Sequence, residues 1–207
     1  MTPPSRGRAA PAGAADSLPA DARDVRVRTR AEWRGWLAAH HASPDWIWLV
    51  YPKKGSAHFV DLAYDAIVEE ALCFGWIDSV ARGAGADHRC IRLSPRRPGS
   101  GWAATNKRRV ERLVADGRMT PAGLARIEAA KRDGSWEALD AVERLEVPAD
   151  LAAALDADPD ARRHFDAFPP SARKLALTWI AAAKRPETRA ARIAETVRLA
   201  ARNERRR

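Results

Sequence analysis

The amino-acid sequence predicts an α+β protein, with a small, mainly antiparallel sheet covered by helices and followed by a helical C-terminal unit. Three observations lead to this fold class. Residues 46–51 form a continuous apolar run that is typical of a buried strand. Residues 64–75 repeat their apolar side chains at helical spacing. After Val147, proline residues divide Ala-rich amphipathic segments of helical length.

Composition divides the chain of 207 residues into four segments. Residues 1–22 are rich in Ala, Pro and Gly and hold few large apolar side chains, so we expect a disordered tail. Residues 23–134 carry the mixed strand and helix patterns of an α+β domain. We interpret residues 135–147 as a linker and residues 148–207 as a helical C-terminal domain with a basic tail.

The first half of the α+β domain starts with a short strand at 24–28, where charged and apolar residues alternate. A capping box, TRAE, at 29–32 then opens a helix that we expect to end near His40. The apolar run at 46–51 follows as a strand covered on both faces. Turn residues separate it from a second expected strand at 58–60.

The stretch 64–78, YDAIVEEALCFGWID, is the segment around which we expect the domain to be organised. Its apolar stripe has helical spacing and comprises Tyr64, Ile67, Val68, Ala71, Leu72 and Gly75. This spacing predicts that Glu69 and Glu70 lie on the opposite, polar face. Gly75 is expected to end the helix in the left-handed conformation. Asp78 then follows at the end of an element, where functional groups are often displayed.

The second half of the domain continues with a strand and then helices. Residues 88–94 alternate, which places Arg92 on one side of the strand and Ile91 on the other. Ser100 is a candidate N-cap for a helix that we expect to reach Asp116. A further helix is expected after the Thr-Pro pair that follows this one.

The C-terminal unit is predicted to be entirely helical. Proline residues and the lengths of the amphipathic segments indicate four helices, at 149–156, 159–167, 171–184 and 187–203. We expect large apolar side chains from these helices to form their shared core, namely Phe165, Phe168, Leu175, Trp179, Ile180, Ile193 and Val197.

The formal net charge of +9 is concentrated in two segments. Residues 184–207 hold nine Lys and Arg against three Glu, and residues 82–118 hold ten Lys and Arg against three acidic residues. The remainder of the chain is therefore net acidic. Concentrated positive charge favours an anionic partner, which is either a small anionic molecule or a polyanion such as nucleic acid. A solvated basic surface without a partner is the alternative.

The richest candidate site lies within residues 92–109, RLSPRRPGSGWAATNKRR. Arg96 and Arg97 occupy a loop with Pro and Gly directly before a predicted helix N-terminus. Helix N-termini bind anions because their N–H groups have no partner within the helix. The two guanidinium groups add bidentate donors for phosphate or carboxylate, and Trp102 offers a stacking surface.

Three further side chains are expected to complete this ligand-binding site. Asn106 follows Trp102 after one helical turn, so the two residues share a helix face, and Lys107 lies beside them. Asp78 is expected to orient one of the arginines through an ion pair. These residues predict a site for an anionic ligand that carries phosphate or carboxylate groups.

A structural role for the same residues is the alternative. In that interpretation Arg96 or Arg97 pairs with Asp78 or Glu70, and Trp102 packs in the core. Direct contact of this segment with nucleic acid is a third interpretation, since arginine and tryptophan also bind phosphates and bases.

Chemistry beyond binding has little support in the sequence. Cys73 and Cys90 are too few for a disulfide framework and lack the spacing of a metal site. The chain has no GxSxG, P-loop, HExxH or dinucleotide-binding glycine motif, so we predict neither a metal nor a cofactor. A nucleophilic Cys73 would need a base such as His58 or His88, and its place beside the apolar stripe favours core packing. A reaction with Asp78 as general base is the alternative, so an enzymatic activity is left open.

The sequence also bears on location. No apolar run reaches the ~18 residues that a membrane-spanning helix needs. The N-terminal residues MTPPSRGRAAPAGAADSLPAD lack the continuous apolar segment of a signal peptide. We therefore expect the protein to be cytoplasmic. Nothing in the sequence indicates its oligomeric state.

Three stretches resemble the YdeI/OmpD-associated family, bacterial proteins named for bacteriocin protection. They are residues 69–78, EEALCFGWID; residues 92–106, which fit the family pattern R-x-S/T-P-R-R-x-x-S-x-W-S-x-x-N; and residues 184–193. Ala103 stands where the family usually has a serine, so a role of that hydroxyl does not carry over. The resemblance covers nearly all of residues 24–203.

This resemblance implies a protein of stress or bacteriocin resistance, and the family name also points to an outer-membrane porin. Together with the charge pattern, it leads to the hypothesis of an anionic small ligand bound at the Arg, Trp and Asn site. A non-specific nucleic-acid-binding module is the second hypothesis. An enzyme acting on a small phosphorylated or acidic substrate is the third.

Overall fold

The structure, a computed structural model, describes residues 24–205 as two compact units. The first unit comprises residues 24–97 and 112–126, and the second comprises residues 98–111 and 127–205. The tail predicted at 1–22 lies outside the described residues. The predicted linker and the domain boundaries beside it stay a prediction.

The predicted α+β class is confirmed, because strands and helices alternate early in the chain and helices alone follow. The elements before residue 100 are β1 (Asp24–Arg26), α1 (Arg30–His40), β2 (Ile47–Pro52), α2 (Tyr64–Cys73), β3 (Trp76–Ala84) and β4 (His88–Pro95). The later helices are α3 (Ala104–Ala115), α4 (Pro121–Arg132), α5 (Asp140–Glu143), α6 (Ala149–Asp156), α7 (Pro159–Ala167), α8 (Pro170–Ala181) and α9 (Pro186–Ala201).

The sheet has four strands in the order β1-β2-β4-β3, and it is mainly antiparallel. β1 pairs with β2 in parallel, whereas β4 pairs antiparallel with both β2 and β3. Every residue of β2 is buried, as its continuous apolar run predicted. The strand expected at 58–60 does not form. Successive turns occupy this segment instead, with Ser56 N–H donating to Lys53 O at 3.0 Å and Phe59 N–H donating to Ser56 O at 3.1 Å.

Helix α2 ends as the sequence predicted. Gly75 has a φ of +77°, and its N–H donates to Leu72 O at 3.1 Å. An L-residue rarely adopts this left-handed backbone, so glycine suits the position that closes the helix. The chain then reverses directly into β3, whose first residue, Trp76, is fully buried.

The helical unit has its own apolar core, formed by α5 to α9. Its fully buried members include Leu151, Leu155, Ala161, Phe165, Ile180 and Ala200. One prediction for this core was wrong: Leu175, on α8, was expected to be buried but is 43% exposed. The neighbouring positions on that helix, Ala176 and Leu177, face the core instead. None of the helices within residues 24–205 has the length and apolarity needed to cross a membrane.

Candidate functional site

A cluster of four arginines and two glutamates is the most highly charged feature of the first unit. We call it the arginine cluster and define it as Arg30 and Arg34 of α1, Glu69 and Glu70 of α2, Arg112 of α3, and Arg118. Its members come from four separate segments of the chain. The fold, not local spacing, therefore brings them together.

Glu70 lies at the centre of the arginine cluster and is 0% exposed. Its carboxylate accepts hydrogen bonds from Arg30 Nε at 2.6 Å and from Arg34 Nη1 at 2.6 Å, and also from Arg118 Nη2. Arg34 Nη2 additionally donates to the backbone oxygen of Arg118 at 3.1 Å. A buried carboxylate needs such charged donors, because without them it would lose its hydration without compensation.

Glu69 occupies the outer side of the cluster and is 9% exposed. It accepts a hydrogen bond from Arg30 Nη2 at 2.7 Å and another from Arg112 Nη2. Arg118 Nη1 lies 4.0 Å from the same carboxylate. Arg30 thus bridges both glutamates, while Arg112 contacts only the outer one.

The burial of Glu69 and Glu70 goes beyond the sequence prediction. The apolar stripe of α2 predicted that both residues lie on the face opposite the stripe, and the structure buries that face as well, since residues 66–73 are all buried. Helical spacing identifies the face that packs on the apolar core. It does not show that arginines from other elements cover the opposite face.

Four guanidinium groups and two carboxylates leave the arginine cluster with an excess of two positive charges. Burial lowers the pKa of Arg30, but the hydrogen bonds that Arg30 donates to Glu70 and Glu69 outweigh that effect, so the pKa is raised overall. All four arginine side chains remain partly exposed, and Arg112 is the most accessible at 58%. The cluster therefore combines fixed guanidinium groups with access from solvent, which is what an anion-binding site requires.

Cys73 adjoins the arginine cluster and is fully buried. Burial raises the pKa of its thiol, and the charge of Glu70 raises it further; Arg34 and Arg118 act in the opposite direction without reversing the shift. Because the reactive form of cysteine is the thiolate, a raised pKa does not suit a nucleophile. The burial agrees with the expected role in core packing.

The first unit contains three of the six residues of the sequence-predicted site. Asp78 accepts a hydrogen bond from Tyr64 Oη at 2.8 Å, and Arg97 is exposed. Arg96 is only 4% exposed. Burial lowers its pKa to about 10, and the charge of Asp78 opposes this change. The negative charge of Asp78 thus acts on Arg96, while a role of the two residues in ligand binding stays a prediction.

The second unit contains the other three. Trp102 is 1% exposed and packs against Trp136 with ring centroids 4.9 Å apart. Asn106 is buried and accepts a hydrogen bond from Arg109 Nη1 at 3.0 Å. Lys107 Nζ lies 2.5 Å from an Asp140 carboxylate oxygen. The burial of Trp102 agrees with the alternative that it is a core residue.

The helix N-terminus that was expected to receive an anion carries a carboxylate of the protein itself. Helix α3 begins at Ala104 instead of after Ser100, and Ala104 N–H donates to Glu143 Oε1 at 3.2 Å. Lys174 Nζ also lies 2.5 Å from the Glu143 carboxylate. Burial opposes ionisation of Glu143, but the bonds from Lys174 and Ala104 outweigh it and lower its pKa. Within the second unit, Glu143 therefore fills the role that the sequence assigned to a ligand.

The described part of the chain holds no group of three or more His, Cys, Asp or Glu side chains placed to bind a metal. A small pocket lies in the helical unit, between α7, α8 and α9, with Phe165, Phe168 and Trp179 in its wall. Its lining is mostly apolar, and none of the six predicted site residues contributes to it. It does not suit a small anion.

The geometry of the first unit contains a feature that sequence reasoning missed. The arginine cluster joins pairs 36 to 48 positions apart in the chain, such as Arg34 with Glu70 and Arg118 with Glu70. One signal was available in the sequence: two adjacent glutamates within an otherwise apolar helix, in a chain rich in arginine. That signal indicates buried carboxylates but does not name their partners.

Two parts of the chain match two different families. Residues 25–126 match a domain of unknown function, DUF8412, and residues 144–203 match the family described as bacteriocin-protection, YdeI or OmpD-associated. No curated protein and no solved structure matches the chain significantly. The predicted resemblance is therefore confirmed over residues 144–203, which include the stretch 184–193. The other two stretches that carried it lie within the match to the domain of unknown function.

Proposed function

We propose that the protein binds a small anionic ligand of the phosphate or carboxylate class at the arginine cluster. The observation that carries this proposal is the excess of two positive charges on guanidinium groups that are fixed by carboxylates yet partly exposed. Two arginines would suffice to neutralise Glu69 and Glu70. The cluster has four, and the surplus charge attracts an anion from solution.

Preorganisation favours binding at this position. Arginine side chains have many rotamers, and ordering them on binding costs about 0.5–1.5 kcal/mol for each side chain. In the cluster, Glu69 and Glu70 already hold the guanidinium groups, so most of that ordering is present before the ligand arrives. Arg112 completes the site from its exposed side, where it contacts only Glu69.

The wider role follows from the family comparison. We propose that ligand binding serves the bacteriocin protection that the family description names, or a related stress resistance, and that the protein acts in the cytoplasm. The part of the sequence-predicted site that lies in the first unit, Asp78, Arg96 and Arg97, is a competing location for the same ligand. Arg97 is its most exposed arginine, so it can be tested separately from the arginine cluster.

The variant Arg112→Ala should weaken the binding of inorganic pyrophosphate about tenfold or more, because a hydrogen bond to a charged group contributes roughly 1.5–3 kcal/mol. Isothermal titration calorimetry measures this affinity directly. The free energy of unfolding should change by less than about 1 kcal/mol, since Arg112 is largely exposed and Glu69 keeps its bond to Arg30.

Arg163→Ala is the matched control, because Arg163 is exposed, pairs with Asp160 and lies in the helical unit. It should leave pyrophosphate affinity unchanged. If Arg97→Ala abolishes binding while Arg112→Ala has no effect, the ligand site lies in the loop that the sequence indicated, and the arginine cluster is only structural. Citrate in place of pyrophosphate distinguishes a carboxylate ligand from a phosphate ligand.

A further inference from the structure

One face of the sheet carries two stacked pairs of arginine and tryptophan. In the strand register, Trp48 of β2 lies opposite Arg92 of β4. In the register of β3 with β4, Arg82 lies opposite Cys90. Opposed residues project on the same side of a sheet, and so do residues two apart along one strand. Arg82, Arg92 and Trp48 therefore share one face.

The two guanidinium groups lie over indole rings. Arg82 Cζ is 3.8 Å from the ring centroid of Trp48, and Arg92 Cζ is 4.4 Å from the ring centroid of Trp46. Both distances are well within the range of a cation–π interaction. Trp46 in turn packs against the small apolar cluster that contains Cys90. We call this surface the Arg–Trp face and define it by Arg82, Arg92, Trp46 and Trp48.

The arginines of the Arg–Trp face differ from those of the arginine cluster in their partners. Among the ion pairs within residues 24–205, none involves Arg82 or Arg92, whereas each of the four cluster arginines is bound to a glutamate. A guanidinium group that lies over a ring keeps its N–H donors in its own plane, so the ring does not occupy them and they can bind an anion. An external anion can therefore bind here without displacing a carboxylate.

The neighbouring edge strand, β1, adds no net negative charge to the Arg–Trp face. Asp24 and Arg26 of β1 lie opposite Trp48 and Val50, and their side chains pair with each other at 2.8 Å. This pair is neutral overall. Arg82 and Arg92 thus give the Arg–Trp face, as defined here, an excess of two positive charges.

We propose that the Arg–Trp face binds single-stranded nucleic acid through its phosphate backbone. The two guanidinium groups lie over Trp48, in β2, and Trp46, directly before β2. Two positions correspond to about 6.6 Å along a strand. A chain of regularly spaced phosphates can contact both groups at once, whereas a single phosphate contacts one. Trp46 is only partly buried, so its indole can contact a neighbouring base.

Fluorescence anisotropy of a labelled oligothymidine, measured over a series of salt concentrations, tests this site. The double variant Arg82→Ala and Arg92→Ala should weaken binding at least tenfold. The slope of log affinity against log salt concentration should fall by about two, because each lost phosphate contact reduces it by about one. Replacing both arginines with lysine keeps the charge but removes the planar stacking, so it should restore only part of the affinity.

A matched double variant, Arg163→Ala and Arg198→Ala, removes two exposed arginines of the helical unit that pair with acidic neighbours. It should leave both the affinity and the salt slope nearly unchanged. The inference is overturned if the wild-type protein does not bind the oligonucleotide, or if the Arg82 and Arg92 variant binds as tightly as the control. It is also overturned if the face binds pyrophosphate but no oligonucleotide, which would identify a site for small anions only.

The same measurements separate this inference from the proposed function. Arg112→Ala should weaken pyrophosphate binding and leave oligothymidine binding unchanged, while the Arg82 and Arg92 variant should do the reverse. The lysine variant guards against a loss of folding, because it retains the aliphatic side-chain atoms that cover Trp48. Circular dichroism and the melting temperature of each variant complete the comparison.

Discussion

Glu70→Gln should destabilise the protein by roughly 3–5 kcal/mol, one of the largest effects that a single substitution in this chain can have. The change keeps the volume of the side chain but removes its negative charge. Glu70 is fully buried and binds Arg30, Arg34 and Arg118. Removing one partner of a buried ion pair leaves the other charges without compensation, which costs about this much.

Urea denaturation followed by tryptophan fluorescence measures the loss, because Trp33 and Trp76 are buried in the same unit. Glu128→Gln is the control: Glu128 is exposed and pairs with Lys131 three residues later. That substitution should change the free energy of unfolding by about 0.5 kcal/mol or less. Equal effects of the two substitutions would show that the arginine cluster contributes no more than a surface ion pair.

A second substitution tests the charge balance of the cluster. In the Glu70→Gln background, Arg34→Gln removes one of the guanidinium groups that have lost their carboxylate. The two changes should therefore be less than additive, with a coupling of about 1 kcal/mol or more between neighbouring groups. Strict additivity would indicate that Glu70 acts through its shape and hydrogen bonds and not through its charge.

Gly123→Ala should destabilise the protein by about 3 kcal/mol, for a steric reason. A Cβ atom at this position would lie 2.7 Å from the carbonyl carbon of Cys73 and 2.8 Å from Leu72 O. These are backbone atoms at the end of α2, so no side chain can rotate away to relieve the overlap. Thr120 also holds the start of α4 against the end of α2, because its hydroxyl donates a hydrogen bond to Cys73 O at 2.6 Å.

Gly35→Ala, in the same unit, is expected to stabilise the protein instead. Gly35 lies in α1, and a Cβ atom there would meet nothing within 4 Å. Alanine favours helices over glycine, so this variant should be more stable by about 0.5–1 kcal/mol. Thermal or urea unfolding of both variants gives the comparison. A Gly123→Ala protein as stable as the wild type would mean that α4 is not held so closely against the end of α2.

The two charged features of the first unit suggest different uses of arginine. In the arginine cluster, guanidinium groups neutralise buried carboxylates and keep a surplus of charge at the surface. On the Arg–Trp face, guanidinium groups rest on aromatic rings and have no carboxylate partner among the described residues. The first arrangement suits a compact anion held at one point, and the second suits an extended polyanion.

Local patterns in the sequence predicted most of the elements. Helical spacing predicted α2, and the glycine after it predicted the left-handed residue that ends the helix, as the φ of Gly75 confirms. Proline positions predicted the helices of the C-terminal unit within a few residues. These features depend on interactions between residues close in the chain, which spacing and residue type encode directly.

Only the folded structure shows which groups the charged side chains contact. A glutamate on the polar side of a helix gives the same pattern whether water or arginine lies against it, so the pattern did not show that Glu69 and Glu70 are buried against arginines. Trp48 and Arg82 are 34 positions apart, and only the pairing of β2 and β3 with β4 brings them together. Patterns along the chain were thus enough to predict most of the helices, most of the strands and the surplus of positive charge. The packing of distant segments decided where that charge lies, because ion pairs and cation–π contacts depend on distance in space and not on separation along the chain.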